Sequence, residues 1–424
     1  GSRRATKRRM SSSTTDRATI YAERVVAGDI VAGPHVRNAC RRHLDDLARE
    51  DIHFDAESAA KALRFFEERL KLSEGQFENR PFKSQPAQDF IIGSIFGWKR
   101  LDGTRRFRRA YIEQGKGNGK SPLAGGIGLY GLMADGEAGA EIYSAGATKE
   151  QAGILFRDAV KMVDKSPDLD KRLKRSGGPG REFNIAYLAK SSFFRPVSRE
   201  TKKTGSGPRP HFALVDELHE HADGGIIEIL ERGFKFRRQP LLLMITNSGS
   251  DRNSVCWVEH EHAVRVAAGN IDAKDEDAHY LGEVLDDSTF SYVCALDPGD
   301  EPLNDPTCWV KANPLLGVTI TDEYLTGVVA QAKAMPSKLN GILRLHFCQW
   351  TDAETAWMTR AVLEPVLADF DVAEHHGDKV WLGCDLSQNR DITALAAAVR
   401  TGEIEVEAER DGTIQKVMKP TYDA

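Results

Sequence analysis

The stretch Phe107–Tyr130, FRRAYIEQGKGNGKSPLAGGIGLY, decides how the rest of the chain is read. Its first residues alternate apolar side chains in the manner of a short strand. A turn follows with Gly115, Gly117 and Gly119 in five positions, ending in Gly119-Lys120-Ser121, and a run of small residues then reads as a helix. Strand, glycine turn and helix form the layout of a phosphate cradle. Backbone N–H groups point into the turn, a lysine reaches the β- and γ-phosphates, a hydroxyl serves magnesium, and the helix adds its positive N-terminal end. Lys120 and Ser121 stand where those roles need them. The pattern G-x-x-x-x-G-K-[ST] asks for glycine at position 114, where this chain has Gln114, so a plain glycine-rich connection is the competing reading of the stretch taken alone.

The composition sets the frame around it. A chain of 424 residues, 41% hydrophobic and 29% charged, is ordinary globular protein with room for about two or three domains of ~100–200 residues. A net charge of -5 gives no global basic field, so nucleic acid is neither indicated nor excluded. The six cysteines (40, 256, 294, 308, 348 and 384) show no C-x-x-C spacing, which argues for reduced thiols in a cytosolic setting and against a disulfide or zinc framework. No run approaches the ~18–20 apolar residues of a membrane span. The start, GSRRATKRRMSSSTTD, lacks the apolar stretch of a signal peptide and reads as a flexible basic tail over residues 1–16.

Further along, apolar residues recur at helical spacing over residues 17–80, interrupted by Gly33-Pro34, which predicts a small helical accessory region. Over residues 81–352 strands alternate with helices: FRRAYIE, AEIYSAGA, HFALVDE and PLLLMITNSG are β-rich, while KEQAGILFRDAVKMV and GIIEILERGF are amphipathic. That alternation predicts an α/β fold with a mostly parallel sheet covered by helices. Residues 353–375 read as a linker. Residues 376–424 open a second, smaller unit, in which VWLGCDL, ITALAAAVR and EIEVEAE are three strands joined by the turns SQNRD and TGE.

Two more elements bear on the phosphate question. HFALVDELHEH places Asp216 and Glu217 after the apolar run Phe212–Val215. An aspartate at a buried strand end can hold the magnesium of a nucleotide, and an adjacent glutamate can orient or deprotonate the attacking water. Such a pair is costly unless charge compensates it, so it calls for a partner. LLLMITNSGSD ends a fully apolar strand in Thr246-Asn247-Ser248, well placed to sense a γ-phosphate; a plain strand-to-loop turn is the alternative. The histidines of HEH (219–221) and EHEH (259–262) do not match H-E-x-x-H and read as surface or local hydrogen-bonding groups.

Taken in order, PAQDFIIGSIFGW, GKGNGKS, YSAGATKEQAGILF, LVDELHEH, MITNSGS, ETAWM and GCDLSQNRDITAL resemble the large terminase subunit of tailed double-stranded DNA phages, over about Pro81–Val399. The resemblance implies a P-loop NTPase of the ASCE type, with helices on both faces of a mostly parallel sheet, and the start of a ribonuclease H-like nuclease domain. It implies a motor that uses ATP and Mg²⁺ to drive double-stranded DNA into a procapsid, and a nuclease, using Mg²⁺ or Mn²⁺, that cuts concatemers. The implied partners are the portal protein, the small terminase subunit and further copies of the chain in a pentameric ring. The implied location is the host cytoplasm, transiently on the procapsid, with no membrane.

Residue by residue, the resemblance makes Gln88 the adenine-recognising glutamine, although the tryptophan usual before it is Ala87 here. Lys116 takes the place of a basic residue in a variant phosphate loop, which accounts for Gln114. Gly117, Asn118, Gly119, Lys120 and Ser121 line the nucleotide, Ser121 and Asp216 hold the metal, Glu217 is the catalytic base, and Thr246 and Asn247 couple hydrolysis to motion. Arg209 and Arg199, in the loop before the Asp216 strand, are candidates for an arginine acting on a neighbouring subunit. Asp385 is the first nuclease metal ligand. Asp391 is a turn residue or a second-shell partner, and the glutamates at 403, 405, 407 and 409 fall on one solvent-facing side of a strand. The remaining nuclease carboxylates are expected beyond residue 424, so a chain ending there hydrolyses ATP without cutting DNA. The basic loops 171–181 and 198–209 are either DNA-phosphate contacts or solvated loops. Competing functions are another ATP-driven nucleic-acid translocase or helicase, which would lack an aspartate on a downstream meander, a small-molecule kinase, and a non-catalytic capsid or DNA-binding module.

Overall fold

Three helices lead the described chain, each fixed by its ends. The computed structural model describes residues 16–73, 75–197, 207–269, 286–351, 372–385, 394–410 and 413–423, in two units that divide between Ala356 and Trp357. Helix α1 (Arg17–Ala27) starts on Asp16, whose carboxylate accepts from the N–H groups of Ala18 and Thr19, and stops at Gly28 in the left-handed conformation. Helix α2 (Pro34–Asp46) has proline in its first turn, and α3 (Ala56–Arg69) is capped by Asp55. Their apolar faces, with Tyr21, Val36, Cys40 and Phe66 buried, close over α4 (Pro86–Gly97), which is buried from Ala87 to Gly97. The N-terminal helices therefore belong to the main core, α1 and α3 lying against α4 while α2 packs directly on the strand Thr289–Val293. A short strand the periodicity does not show, β1 (Ile52–Phe54), pairs antiparallel with β2 (Trp98–Arg100) and ties the two layers together.

Among the described residues the large sheet has eight strands. In spatial order they are β10 (Thr289–Val293), β3 (Arg109–Glu113), β9 (Leu241–Thr246), β8 (Phe212–Val215), β4 (Glu141–Ala145), β7 (Ser192–Val197), β6 (Asn184–Tyr187) and β5 (Lys174–Ser176). The first six run parallel, and β6 and β5 extend the edge antiparallel. Alternate residues of one strand serve opposite cores. Ala110 and Ile112 join the core beneath α4, α5 (Lys120–Met133) and α6 (Lys149–Lys165), whereas Tyr111 joins the core beneath α8 (Gly225–Arg232) and α9 (Val255–Ala268). Helices cover both faces, as the alternation predicts. Helix α7 (Pro167–Arg172) follows α6, and α10 (Trp309–Ala312), α11 (Asp322–Ala334) and α12 (Pro336–Phe347) gather a third core around Trp309, Leu325 and Phe347. Among the described residues no helix is long and apolar enough to cross a membrane.

Glycine sets how closely α5 approaches its neighbours. A Cβ on Gly131 would stand 2.4 Å from the Phe212 ring, and one on Gly126 would stand 2.4 Å from the Phe66 ring. In an exposed helix Gly→Ala stabilises by about 1 kcal/mol. Here overpacking of about 1–3 kcal/mol reverses the sign. Gly131→Ala is thus expected to lower stability in a urea melt; a variant more stable than the parent would contradict the packing.

In the second unit β11 (Val380–Asp385), β12 (Ala394–Arg410) and β13 (Thr413–Asp423) form an antiparallel meander in that order. The expected turn at Thr401-Gly402-Glu403 is corrected: these residues lie inside β12, where the register against β13 shifts between Arg400 and Gly402. The expected second and third strands are one strand, and the third is Thr413–Asp423. Glu403 and Glu405 are exposed, as is Ile404 between them. Asp391 lies outside the described residues.

Candidate active site

The six parallel strands carry their carboxyl ends to one edge, and the sequence-predicted residues collect there. Because β9 stands between β3 and β8, the residues after β9 bridge the glycine turn and the Asp216-Glu217 pair. The turn leaves β3 and enters α5 through Gly117 (φ 90°) and Gly119 (φ 69°), two left-handed positions that suit glycine. A Cβ on Gly115 would strike Asn313 Oδ1 at 2.5 Å. Lys120 opens the helix and is buried. Its Nζ donates to Gln114 O at 2.9 Å, Gly115 O at 3.2 Å and Asn247 Oδ1 at 2.5 Å, and burial holds its pKa below the ordinary lysine value. Ser121 follows, half-buried, in the first turn.

Asp216 is buried at the end of β8. Burial first, and then the neighbouring Glu217 charge, push its pKa up to about 7, while its Oδ1 accepts the Glu217 N–H at 3.0 Å. Glu217 sits at φ 46°, ψ 57°, a conformation unusual for a residue with a side chain. Its carboxylate turns back toward β9, where Asn247 Nδ2 donates to Oε2 at 3.3 Å and His219 Nδ1 lies 3.3 Å from the same oxygen. Burial also raises the pKa of Glu217, against the opposing charge of Lys120. One amide therefore connects the P-loop ammonium to the carboxylate: Lys120 Nζ to Asn247 Oδ1, and Asn247 Nδ2 to Glu217. A buried and an adjacent half-buried carboxylate, each pushed toward the neutral form, with the Ser121 hydroxyl at the start of α5, are a donor set suited to a divalent cation such as Mg²⁺. Asp216 and Ser121 are the residues that would hold it.

The remaining residues fall as follows. Gln88 occupies the third position of α4, and its Oε1 accepts the Gln85 N–H at 3.0 Å. Its amide nitrogen faces Gly119, whose added Cβ would lie 3.6 Å away. Gln88 and Gly119 share the wall of a cavity of ≈ 520 Å³ with Phe77, Phe82, Leu315 and Val318. Asn118 spends its side chain internally, donating to Gly115 O at 2.8 Å and Asn313 Oδ1 at 2.9 Å and accepting from Leu315 N–H at 3.1 Å. Its backbone is what it offers a ligand. Lys116 is exposed, and its N–H donates to Leu345 O at 2.6 Å. Thr246 hydroxyl donates to Asn247 O at 2.8 Å and accepts the His219 N–H at 3.1 Å. Arg209 lies before β8, at the strand's amino end and so away from the P-loop edge, with its guanidinium 4.7 Å from the Phe236 ring centroid. Arg199 lies outside the described residues. In the second unit Asp385 ends β11, in register with Ala394.

The histidines are local hydrogen-bonding groups, with His262 partly exposed beside Asp286. His219 bonds the Thr246 hydroxyl and is held neutral by burial, His221 Nε2 lies 3.1 Å from Asp216 O, and His260 Nδ1 lies 2.7 Å from Glu113. Glu113, wholly buried just before the P-loop, also accepts from Tyr111 hydroxyl at 2.8 Å, Ser248 hydroxyl at 2.5 Å and Trp350 Nε1 at 3.0 Å. Sequence reading missed this hub. A lone glutamate ending an apolar strand was its only signal.

Comparison with known proteins decides the family. The model of the terminase large subunit ATPase domain matches residues 86–265, and that of the terminase large subunit endonuclease domain matches residues 283–406. The chain belongs to the terminase large subunit family. The terminase large subunit of Enterobacteria phage HK97 is 25% identical over 345 residues, covering 80% of this chain and 62% of that protein. The terminase large subunit of Lactococcus phage p2 is 20% identical over 381 residues, covering 87% and 64%, and protein YmfN of Escherichia coli K12 is 26% identical over 201 residues, covering 47% and 41%. The chain thus spans 41% to 64% of the length of these relatives. The crystal structure of the HK97 bacteriophage large terminase shares the fold, with a TM-score of 0.56 at 22% identity over 86% of this chain and 67% of that one. The terminase endonuclease match starts at residue 283, yet Thr289–Val293 is the edge strand β10 of the large sheet. In the folded chain the division between units comes some seventy residues later.

Proposed function

We propose that the chain is the ATP-hydrolysing, DNA-translocating subunit of a phage packaging motor. The observation that carries the reading is the Lys120–Asn247–Glu217 connection across the strand ends, because it joins a phosphate-binding cation, a sensor and a base in one hydrogen-bonded line. The P-loop N–H groups and the start of α5 cradle the phosphates, and Lys120 exchanges its carbonyl partners for phosphate oxygens. The cavity beside Gln88 takes the base, with Phe77 and Leu315 as apolar walls. Ser121 and Asp216 would hold Mg²⁺, which would supply charge neutralisation at the phosphates. Glu217 orients the attacking water and accepts its proton. Loss of the γ-phosphate returns Lys120 to Asn247 Oδ1, so the segment after β9 reports the state of the nucleotide. Arg209 of one copy completes the site of the next, which makes a ring on the portal, a pentamer, the working unit. Double-stranded DNA is gripped by its backbone, and the small terminase subunit, portal protein and procapsid are the further partners, in the host cytoplasm. The test is packaging itself: with procapsids, DNA and ATP, the full-length protein is expected to render DNA nuclease-resistant without separating its strands. Strand separation with no protected DNA would favour a helicase.

The second unit is proposed to begin a ribonuclease H-like nuclease, with Asp385 as its first-strand ligand for Mg²⁺ or Mn²⁺. In the full-length protein Asp385→Ala is expected to abolish metal-dependent DNA cleavage while leaving ATP turnover within about twofold, since losing a two-metal ligand removes the nucleophile's activation. Unimpaired cleavage by this variant would remove Asp385 from the site.

A further inference from the structure

Arg344 is the unexplained cation near the P-loop. It lies in the last turn of α12 and is half-buried, and its side chain makes no hydrogen bond or ion pair among the described residues; its Nε is buried without a partner. Arg105 and Arg108 also bury an unpartnered Nε, but both bond through their terminal nitrogens, to Asp135 and Gln239 O in one case and Arg238 O in the other. A buried donor left without an acceptor is costly, so the Nε of this half-buried cation calls for an anionic partner.

The backbone around Arg344 fixes where the residue stands. Leu345 O accepts the Lys116 N–H at 2.6 Å, and His346 O accepts from Asn313 Nδ2 at 2.9 Å, so the end of α12 is fastened to the P-loop at the residues that follow Arg344. The Arg344 charge acts on Glu217, where it favours the carboxylate, and on His219, where it favours the neutral ring. It is near both, yet forms no ion pair with Glu217.

We propose that Arg344 acts in cis as a second cation on the γ-phosphoryl group of bound ATP, across the phosphate from Glu217. The proposal rests on the nucleotide-site reading above. Water attacks the γ-phosphorus, the bond to the bridging oxygen breaks, the water proton passes to Glu217, and Arg344 keeps its protons while stabilising the charge on the transferring oxygens.

The experiment compares Arg344→Ala, Arg344→Lys and Lys120→Ala in the full-length protein, by steady-state ATP hydrolysis with DNA present, ADP binding by calorimetry, and thermal melting. Arg344→Ala is expected to lose on the order of 10²-fold in kcat, the scale of removing one preorganised charge donor, with ADP affinity within about threefold because ADP has no γ-phosphate. Guanidinium ion in solution is expected to restore part of the rate to Arg344→Ala and none to Lys120→Ala, and Arg344→Lys to be intermediate. If Arg344→Ala does not melt cooperatively, Arg344→Gln carries the same comparison. An Arg344→Ala kcat within about threefold of the parent, while Lys120→Ala is inactive, would overturn the proposal and leave the nucleotide site standing. Equal losses of ADP and ATP binding without guanidinium rescue would make Arg344 a structural residue. Absence of turnover in the parent itself would overturn the nucleotide-site reading.

Discussion

Lys120→Ala is expected to abolish ATP hydrolysis and to cost stability as well. The ammonium is a point charge that phosphate oxygens attract, and no other buried cation begins α5, so binding and transition-state stabilisation are lost together. Three acceptors now share Nζ: Gln114 O, Gly115 O and Asn247 Oδ1. Truncation leaves them facing a void, with a penalty of about 1–3 kcal/mol for a buried acceptor left unpaired. These three bonds make the lysine part of the fold as well as of the site. The measurements are ATP turnover and a urea melt of the same variant. A folded Lys120→Ala protein with near-normal turnover would remove the P-loop from the mechanism.

Glu217→Gln is expected to bind ATP and to turn it over at least ~100-fold more slowly, because an amide holds water but accepts no proton. The amide is as large as the carboxylate and keeps an oxygen for Asn247 Nδ2, so the left-handed backbone at Glu217 persists. Asp216→Asn divides the roles: it should weaken Mg²⁺-dependent nucleotide binding more than the chemical step. Its effect on stability carries a sign that can be worked out. With the Asp216 pKa pushed up to about 7, the native state holds a proton that the unfolded chain has already released. Metal-free stability therefore falls as pH rises from the ordinary carboxylate range through about 7. Asp216→Asn removes that fall, and melting temperatures measured without metal from pH 5 to pH 8 should be flatter than the parent's. The same binding defect in both variants would mean that the carboxylates do not divide the work.

What the sequence makes legible is what depends on neighbouring residues. The β3–turn–α5 unit, the buried β8 ending in Asp216-Glu217 and the β9 tail at Asn247 are all short-range patterns, and each falls where the periodicity and the glycines place it. What it hides is contact between distant segments. Strand β1 pairs with β2 across more than forty residues, and three-residue strands carry too little pattern to announce themselves. The wall of the cavity opposite Gln88 comes from Leu315 and Val318, some two hundred residues after the P-loop. Glu113 reads as the end of a strand until Ser248, His260 and Trp350 are seen converging on it. Thr401-Gly402-Glu403 was misplaced for the opposite reason. Its composition is that of a turn, but Gly402 marks a bulge within a long strand, and only the register of β13 tells the two apart.

The most direct measurement is a crystal structure of the protein with Mg²⁺ and a non-hydrolysable ATP analogue. The expected result has the base in the cavity beside Gln88, the β- and γ-phosphates at hydrogen-bond distance from Lys120 Nζ, and the metal on the Ser121 hydroxyl with Asp216 beside it. Lys120 should have let go of Asn247 Oδ1. A nucleotide bound away from the strand ends, or phosphates held while Lys120 keeps its bonds to Gln114 O, Gly115 O and Asn247 Oδ1, would contradict it.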